Sequence, residues 1–195
     1  MPTPWADSVD AHRSSVREAV LDAAAALVAE RGLAAVTMSG IAVRTGIGRA
    51  TLYRHFPDVE SVLSAWHARQ VETHRGRLAG AAEADGPAAA RLEAVLRAWA
   101  QIARESRGHH DADLATVLHR DGGVDRAERH LHSLVASLIE QGAADGDLRA
   151  DAPPGELAAF CLHALTAAAG MPDERAADRL VAVALAGLRP APTSS

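Results

Sequence analysis

Three features of the sequence predict an all-α protein. Alanine supplies much of an apolar content of 48%, while aromatic residues make up only 3%; alanine is the strongest helix former and a weak strand former. Apolar residues recur at three- and four-residue spacing, in segments bounded by the Gly, Pro, Ser, Thr and Asp residues that start and stop helices. No stretch alternates apolar and polar residues for long enough to make a strand, and no repeat or long low-complexity segment is present. At 195 residues the chain can bury a core without disulfide or metal, so no cofactor is required.

About nine helices are expected. Residues 1–13 read as a flexible tail, with Pro2, Pro4 and scattered charges. Ser15 and Glu18 then have capping-box spacing, and Val16, Val20, Ala24, Leu27 and Val28 share one helical face up to the stop at Gly32. Thr37 caps a short second helix carrying Ile41 and Ala42 and ending at Gly46; a third runs from Arg49 to Phe56, halted by Pro57. Asp58 opens a long helix through Val59, Val62, Leu63 and Trp66 towards Leu78, and another carries Leu92, Val95, Leu96, Trp99 and Ile102. A short helix is expected over 114–118, a longer one over 124–142, and two more over 156–169 and 173–188, before a loose tail. The domain plan is a tail at 1–13, a three-helix unit at 14–57, a helical body at 58–189 and a tail at 190–195.

Charge is segregated. The formal net charge is −5, yet residues 31–57 hold four Arg and no acid, a local basic patch of the kind that meets nucleic acid. Every basic residue in the chain is Arg, so Arg counts alone mean little. The lone Cys161 excludes an intramolecular disulfide and suits a reducing compartment. The acidic, Pro-broken start does not resemble a signal peptide, and the most apolar run, residues 157–169, contains His163 and is shorter than a membrane span. A cytoplasmic protein with no membrane partner is expected.

The stretch TGIGRATLYRHF, residues 45–56, carries the sharpest functional signal. A helix-turn-helix needs a small residue where its helices cross and a positive φ in its turn, roles that Ala42 and Gly46 fit. Ile41, Ile47 and Leu52 would hold the pair against the first helix, leaving the outer face of the third free. There, Arg49 suits a guanine edge, Ala50 or Thr51 a thymine methyl, and Tyr53 and His55 phosphate oxygens. The longer segment VTMSGIAVRTGIGRATLYRHFPDVESVL, with Gly46, Thr51, Leu52, Tyr53, His55 and Phe56 in place, resembles the DNA-binding region of the TetR family of bacterial transcriptional regulators. The resemblance covers residues 16–66. It implies a three-helix DNA reader, a helical body that dimerises through its last two helices, and a small-molecule pocket in that body. By position it makes Thr37, Arg44, Gly48, Arg49, Ala50, Thr51, Tyr53, Arg54 and His55 the DNA-facing set. One departure is Val59, where many members place a phosphate-binding Lys.

In the body, the last two helices are apolar on more than one side, and a helix with two apolar faces must bury both. An isologous four-helix dimer interface is therefore expected from Leu157, Phe160, Cys161, Ala164, Leu165 and Ala168 with Leu180, Val181, Val183, Ala184, Leu185 and Leu188. Two-fold symmetry predicts an inverted-repeat operator in double-stranded DNA, with half-sites about 34–36 Å apart. Trp66, Trp99, His119, Phe160 and His163 are the candidate effector contacts, large or polar groups on otherwise apolar helices. The expected function is a dimeric, sequence-specific transcriptional regulator, a repressor released by a small-molecule effector, since occupancy alone blocks a promoter. Two alternatives are a metal-responsive regulator using His109, His110, Asp111 and Asp113, with His119 nearby, and a helical enzyme. Against the enzyme, Cys161 and His163 sit two apart on one helix and point to different sides, and no metal site is assigned.

Overall fold

The computed structural model describes residues 4–106 and 123–190. Among them are eight α-helices and no strand: α1 (Pro4–Arg31), α2 (Met38–Thr45), α3 (Arg49–His55), α4 (Val59–Ala82), α5 (Ala88–Glu105), α6 (Gly123–Ala144), α7 (Pro154–Thr166) and α8 (Glu174–Ala186), with 3-10 turns at Leu33–Ala35 and Ala167–Gly170. The short helix expected over 114–118 lies outside the described residues. The chain forms two compact units that divide at about residue 70, so α4 starts in the first and ends in the second.

The first unit buries Val20, Ala24, Leu27 and Val28 of α1 against Ile41 of α2, Leu52 and Phe56 around α3, and Val62, Leu63 and Trp66 of α4. The helix boundary expected at Ser15 is corrected. Helix α1 begins at Pro4, a residue well suited to a first helical turn, and nothing between Pro4 and Ser15 breaks a helix. Ser15 is thus an exposed interior position, and Glu18 is not a capping partner: it accepts from Arg69 Nη1 at 2.7 Å, while Asp22 meets the same nitrogen at 2.8 Å.

The second unit packs α5, α6, α7 and α8 around Leu92, Val95, Leu96, Val135, Ile139, Cys161, Leu165, Val181 and Leu188. Gly142 does not end α6, which continues to Ala144; the positive φ that follows belongs to Gly146, at 82°. A side chain at Gly142 is excluded by close approach instead, since a Cβ there would sit 2.6 Å from Leu148 Cδ1. The Gly142 carbonyl accepts from both Asp147 and Leu148 amides, and the Arg149 amide donates to Leu188 O at 2.8 Å, tying the loop after α6 to the end of α8. Asp173 caps α8 by accepting from the Ala176 amide at 2.7 Å. No helix among the described residues is long and apolar enough to cross a membrane.

Candidate nucleic-acid interface and ligand cleft

Local backbone chemistry places α3. The Thr37 side chain caps α2 by accepting from the Gly40 amide at 3.1 Å. At the other end Gly46 adopts φ 71°, ψ 5° and returns its N–H to Ala42 O, the left-handed stop that favours glycine. Thr45 braces the turn, donating its hydroxyl to Ile41 O at 2.8 Å and accepting from the Ile47 amide at 3.2 Å. Leu52 is fully buried under α3, and the Arg17 guanidinium lies 4.7 Å from the Phe56 ring centre. Asp58 and Ser61 form a reciprocal cap on α4, with the Ser61 amide donating to Asp58 Oδ1 at 2.7 Å.

With α3 held this way, Arg49, Ala50 and Arg54 are exposed and Tyr53 is 51% exposed. Thr51 and His55 are half-buried at the edges of the same helix. Arg49 donates to Ser39 Oγ at 3.2 Å, which steers it across α2. Gly48 has φ −60° and open space where a Cβ would sit, so neither backbone nor packing within the chain requires a glycine there. Arg44, of the expected DNA-facing set, forms a two-pronged ion pair with Glu30, at 2.9 and 2.7 Å. Its hydrogen bond is the main cause holding the Glu30 carboxyl below its ordinary range. Glu30 stands one residue outside the acid-free window. Val59, in place of the family's Lys, packs against the first unit's core. Two exposed α2 residues escaped sequence reasoning: Ser39, which meets Arg49, and Val43, which is 85% exposed.

The expected dimer set divides in two. Cys161, Leu165, Ala168, Val181, Ala184 and Leu188 are buried inside the body's own core, so they are corrected from interface to core. Phe160 and Val183 are 54% and 68% exposed, and a Cβ at Gly187 would lie 3.8 Å from the Phe160 ring, so these groups form one outward apolar patch on α7 and α8. Leu157, Ala164, Leu180 and Leu185 are half-buried, and Leu157, Leu180 and Leu185 pack against that core. Burial pushes the Cys161 thiol up to about 11, which disfavours the thiolate form.

The second unit also contains a cleft of about 340 Å³. Trp99 of α5 contributes to its wall with Glu128, Arg129, Leu131 and His132 of α6, and Ala159, Leu162, His163 and Thr166 of α7. Of the expected effector contacts, Trp99 and His163 line it. Trp66 does not: it is 3% exposed in the first unit's core, a packing residue. Phe160 is corrected to the outward patch, since the α7 residues that line the cleft lie on another face of the helix. His119 lies outside the described residues, as do His109, His110, Asp111 and Asp113. His132 and Arg129 escaped sequence reasoning because their place beside Trp99 is set by packing of three helices.

The family model described as bacterial regulatory proteins, tetR family, matches residues 20–65. A second, described as the C-terminal domain of SbtR-like transcriptional regulators, matches residues 86–190. No curated protein is significantly similar in sequence. Among solved structures, a TetR transcriptional regulator from Streptomyces coelicolor is 31% identical, with 91% of this chain and 99% of that one covered and a TM-score of 0.64. A TetR/AcrR-family regulator from Thermobifida fusca is 22% identical over 90% of this chain and 99% of its own, with a TM-score of 0.73. AibR, solved with isovaleryl coenzyme A and operator DNA, is 17% identical, with 89% and 97% covered and a TM-score of 0.64.

Proposed function

Because the chain belongs to the TetR family of bacterial regulatory proteins, we propose that it is a homodimeric repressor that binds an inverted-repeat operator and leaves it when a small molecule occupies the body. The supporting observation is the Gly46 turn, which leaves Arg49, Tyr53 and Arg54 exposed on a helix whose opposite side, Leu52, is fully buried. Arg49 reads a guanine edge, Tyr53 and Arg54 hold phosphates, and the half-buried His55 and Thr51 flank them. Thr37, Gly48 and Ala50 allow close approach, and Arg44 reaches phosphate by exchanging its pair with Glu30.

The outward patch of Phe160 and Val183 is the second half of the device. A second copy covering it by two-fold symmetry sets the spacing of two α3 helices, and an effector in the body shifts that spacing away from successive major grooves. The chain passes from reader to body along α4. The role involves no catalysis, and the site is on the cytoplasmic side of any membrane because its partner is chromosomal DNA.

Selection from random duplexes tests the reader, and sedimentation tests the dimer. The expected outcome is an enriched inverted repeat with half-sites about one helical turn apart, bound by a species of twice the chain mass that Val183→Asp converts to monomer. Enrichment of no sequence, or a wild-type monomer at micromolar concentration, contradicts the proposal.

A further inference from the structure

The exposed donors on the outer face of α3, Arg49, Tyr53 and Arg54, are not held alike. Arg49 Nη2 donates to Ser39 Oγ at 3.2 Å, whereas no hydrogen bond or ion pair engages the Tyr53 or Arg54 side chain among the described residues. The bond spans ten positions and joins the first residue of α3 to the second of α2. Ser39 is itself on a firm base. Thr37 closes the first turn of α2 by accepting from the Gly40 amide at 3.1 Å, and that turn lies close against α1: a Cβ on Gly40 would stand 3.2 Å from Thr37 Oγ1 and 3.5 Å from Leu27 Cδ1. At the other end, the Gly46 turn and the burial of Leu52 fix the backbone from which Arg49 projects.

The two kinds of DNA contact make different demands on a side chain. A phosphate accepts a guanidinium or a phenol from many directions, but a guanine edge takes two N–H bonds in one plane. An unrestrained, exposed Arg sweeps a wide arc, and ordering it costs rotamer freedom. The Ser39 bond engages one N–H of Arg49 Nη2 and leaves the other, with those of Nη1 and Nε, for a base; it restrains direction without consuming the planar fork. From this bridge we propose that Ser39 is a positioning residue for base reading: by holding Arg49 over one base pair of each half-site, it narrows the range of sequences that the protein accepts. The inference rests on α3 being a DNA reader.

The full-length protein selects its operator from random duplexes, and the best duplex and its single-base variants are then titrated with wild type, Ser39→Ala, Ser39→Thr, Arg49→Ala and the Ser39→Ala, Arg49→Ala double variant. Arg49→Ala identifies the base pair that Arg49 reads, as the position whose preference it abolishes. At that position Ser39→Ala is expected to lower the preference for the selected base about fivefold, the scale of one hydrogen bond. Preferences at the other positions, the salt dependence and the melting temperature stay as in wild type, because neither a phosphate contact nor a core contact is lost. Ser39→Thr keeps the hydroxyl and the preference, and Ser39→Ala has no further effect once Arg49 is gone, as coupling through Arg49 requires. An unchanged preference in Ser39→Ala, a change at a position indifferent to Arg49, an equal effect in the absence of Arg49, or a uniform loss over all sequences with a lowered melting temperature overturns the proposal while leaving the regulator standing. Enrichment of no sequence by wild type overturns both.

Discussion

The outer face of α3 and the cleft between α6 and α7 are opposites in shape and in chemistry. The first is convex and built of donors, Arg49, Tyr53 and Arg54, held out by a seven-residue helix. The second is concave, and its histidine, threonine and tryptophan donors are turned back onto the backbone. The proposed partners differ accordingly, phosphates and base edges for the first surface and a small molecule for the second.

The contrast breaks most visibly at Arg49. Arg49→Ala is expected to weaken operator binding by about 10- to 100-fold, the cost of a lost bidentate base contact, without lowering the melting temperature; equal affinity of the two proteins in a fluorescence-anisotropy titration would remove Arg49 from the interface. In the body, Gly142→Ala is expected to act on stability alone. The added methyl meets Leu148 at 2.6 Å, and overpacking of about 1–3 kcal/mol outweighs the gain of up to about 1 kcal/mol for alanine in a helix. Calorimetry should show a lower melting temperature, with operator affinity intact at temperatures where the protein is folded.

Gly48 sharpens the comparison because fold and function should respond in opposite directions. Asp at this N-cap accepts from the first amides of α3 and stabilises the helix by roughly a few tenths of a kcal/mol over Gly, while its charge repels phosphate. Gly48→Asp is therefore expected to melt slightly higher and to bind operator at least about tenfold more weakly; a variant that melts higher and binds normally would place Gly48 away from DNA. The smallest effect is expected at Glu30. The Arg44 hydrogen bond, the main cause, lowers the Glu30 pKa, so the pair's contribution to stability is present above the ordinary carboxylate range and is lost as the pH falls through the lowered value. Glu30→Gln should flatten the acid limb of a stability-against-pH curve and, by freeing Arg44, raise operator affinity about twofold at low salt. An unchanged acid limb would mean that the pair carries no stability.

The same two regions differ in how far they can be read from sequence. The reader is specified by near neighbours: Thr37 caps three residues ahead, Gly46 turns the chain four residues after Ala42, and each has a side-chain or φ requirement that sequence alone exposes. What spacing does not expose there are partners far along the chain, as when Glu30 pairs with Arg44 across 14 positions and Arg69 with Glu18 across 51. Ser15 imitates a cap because a capping-box spacing carries no weight when nothing before it breaks the helix. In the body, helix positions follow from periodicity, but the two apolar stripes of α7 and α8 divide into core and surface only through the packing of α5 and α6. The cleft depends still more on packing, because which donors are free is decided by carbonyls such as Gly155 O and Leu162 O, contributed by another helix.

The most direct test of the regulator is binding to the DNA flanking its own gene across a series of salt concentrations, with Arg49→Ala alongside. The account predicts tight, sequence-selective binding that weakens steeply with salt, and a substitution that loses selectivity while keeping most of the salt dependence. Flanking DNA and a selected random pool both bound no better than bulk DNA, by wild type and Arg49→Ala alike, would contradict it.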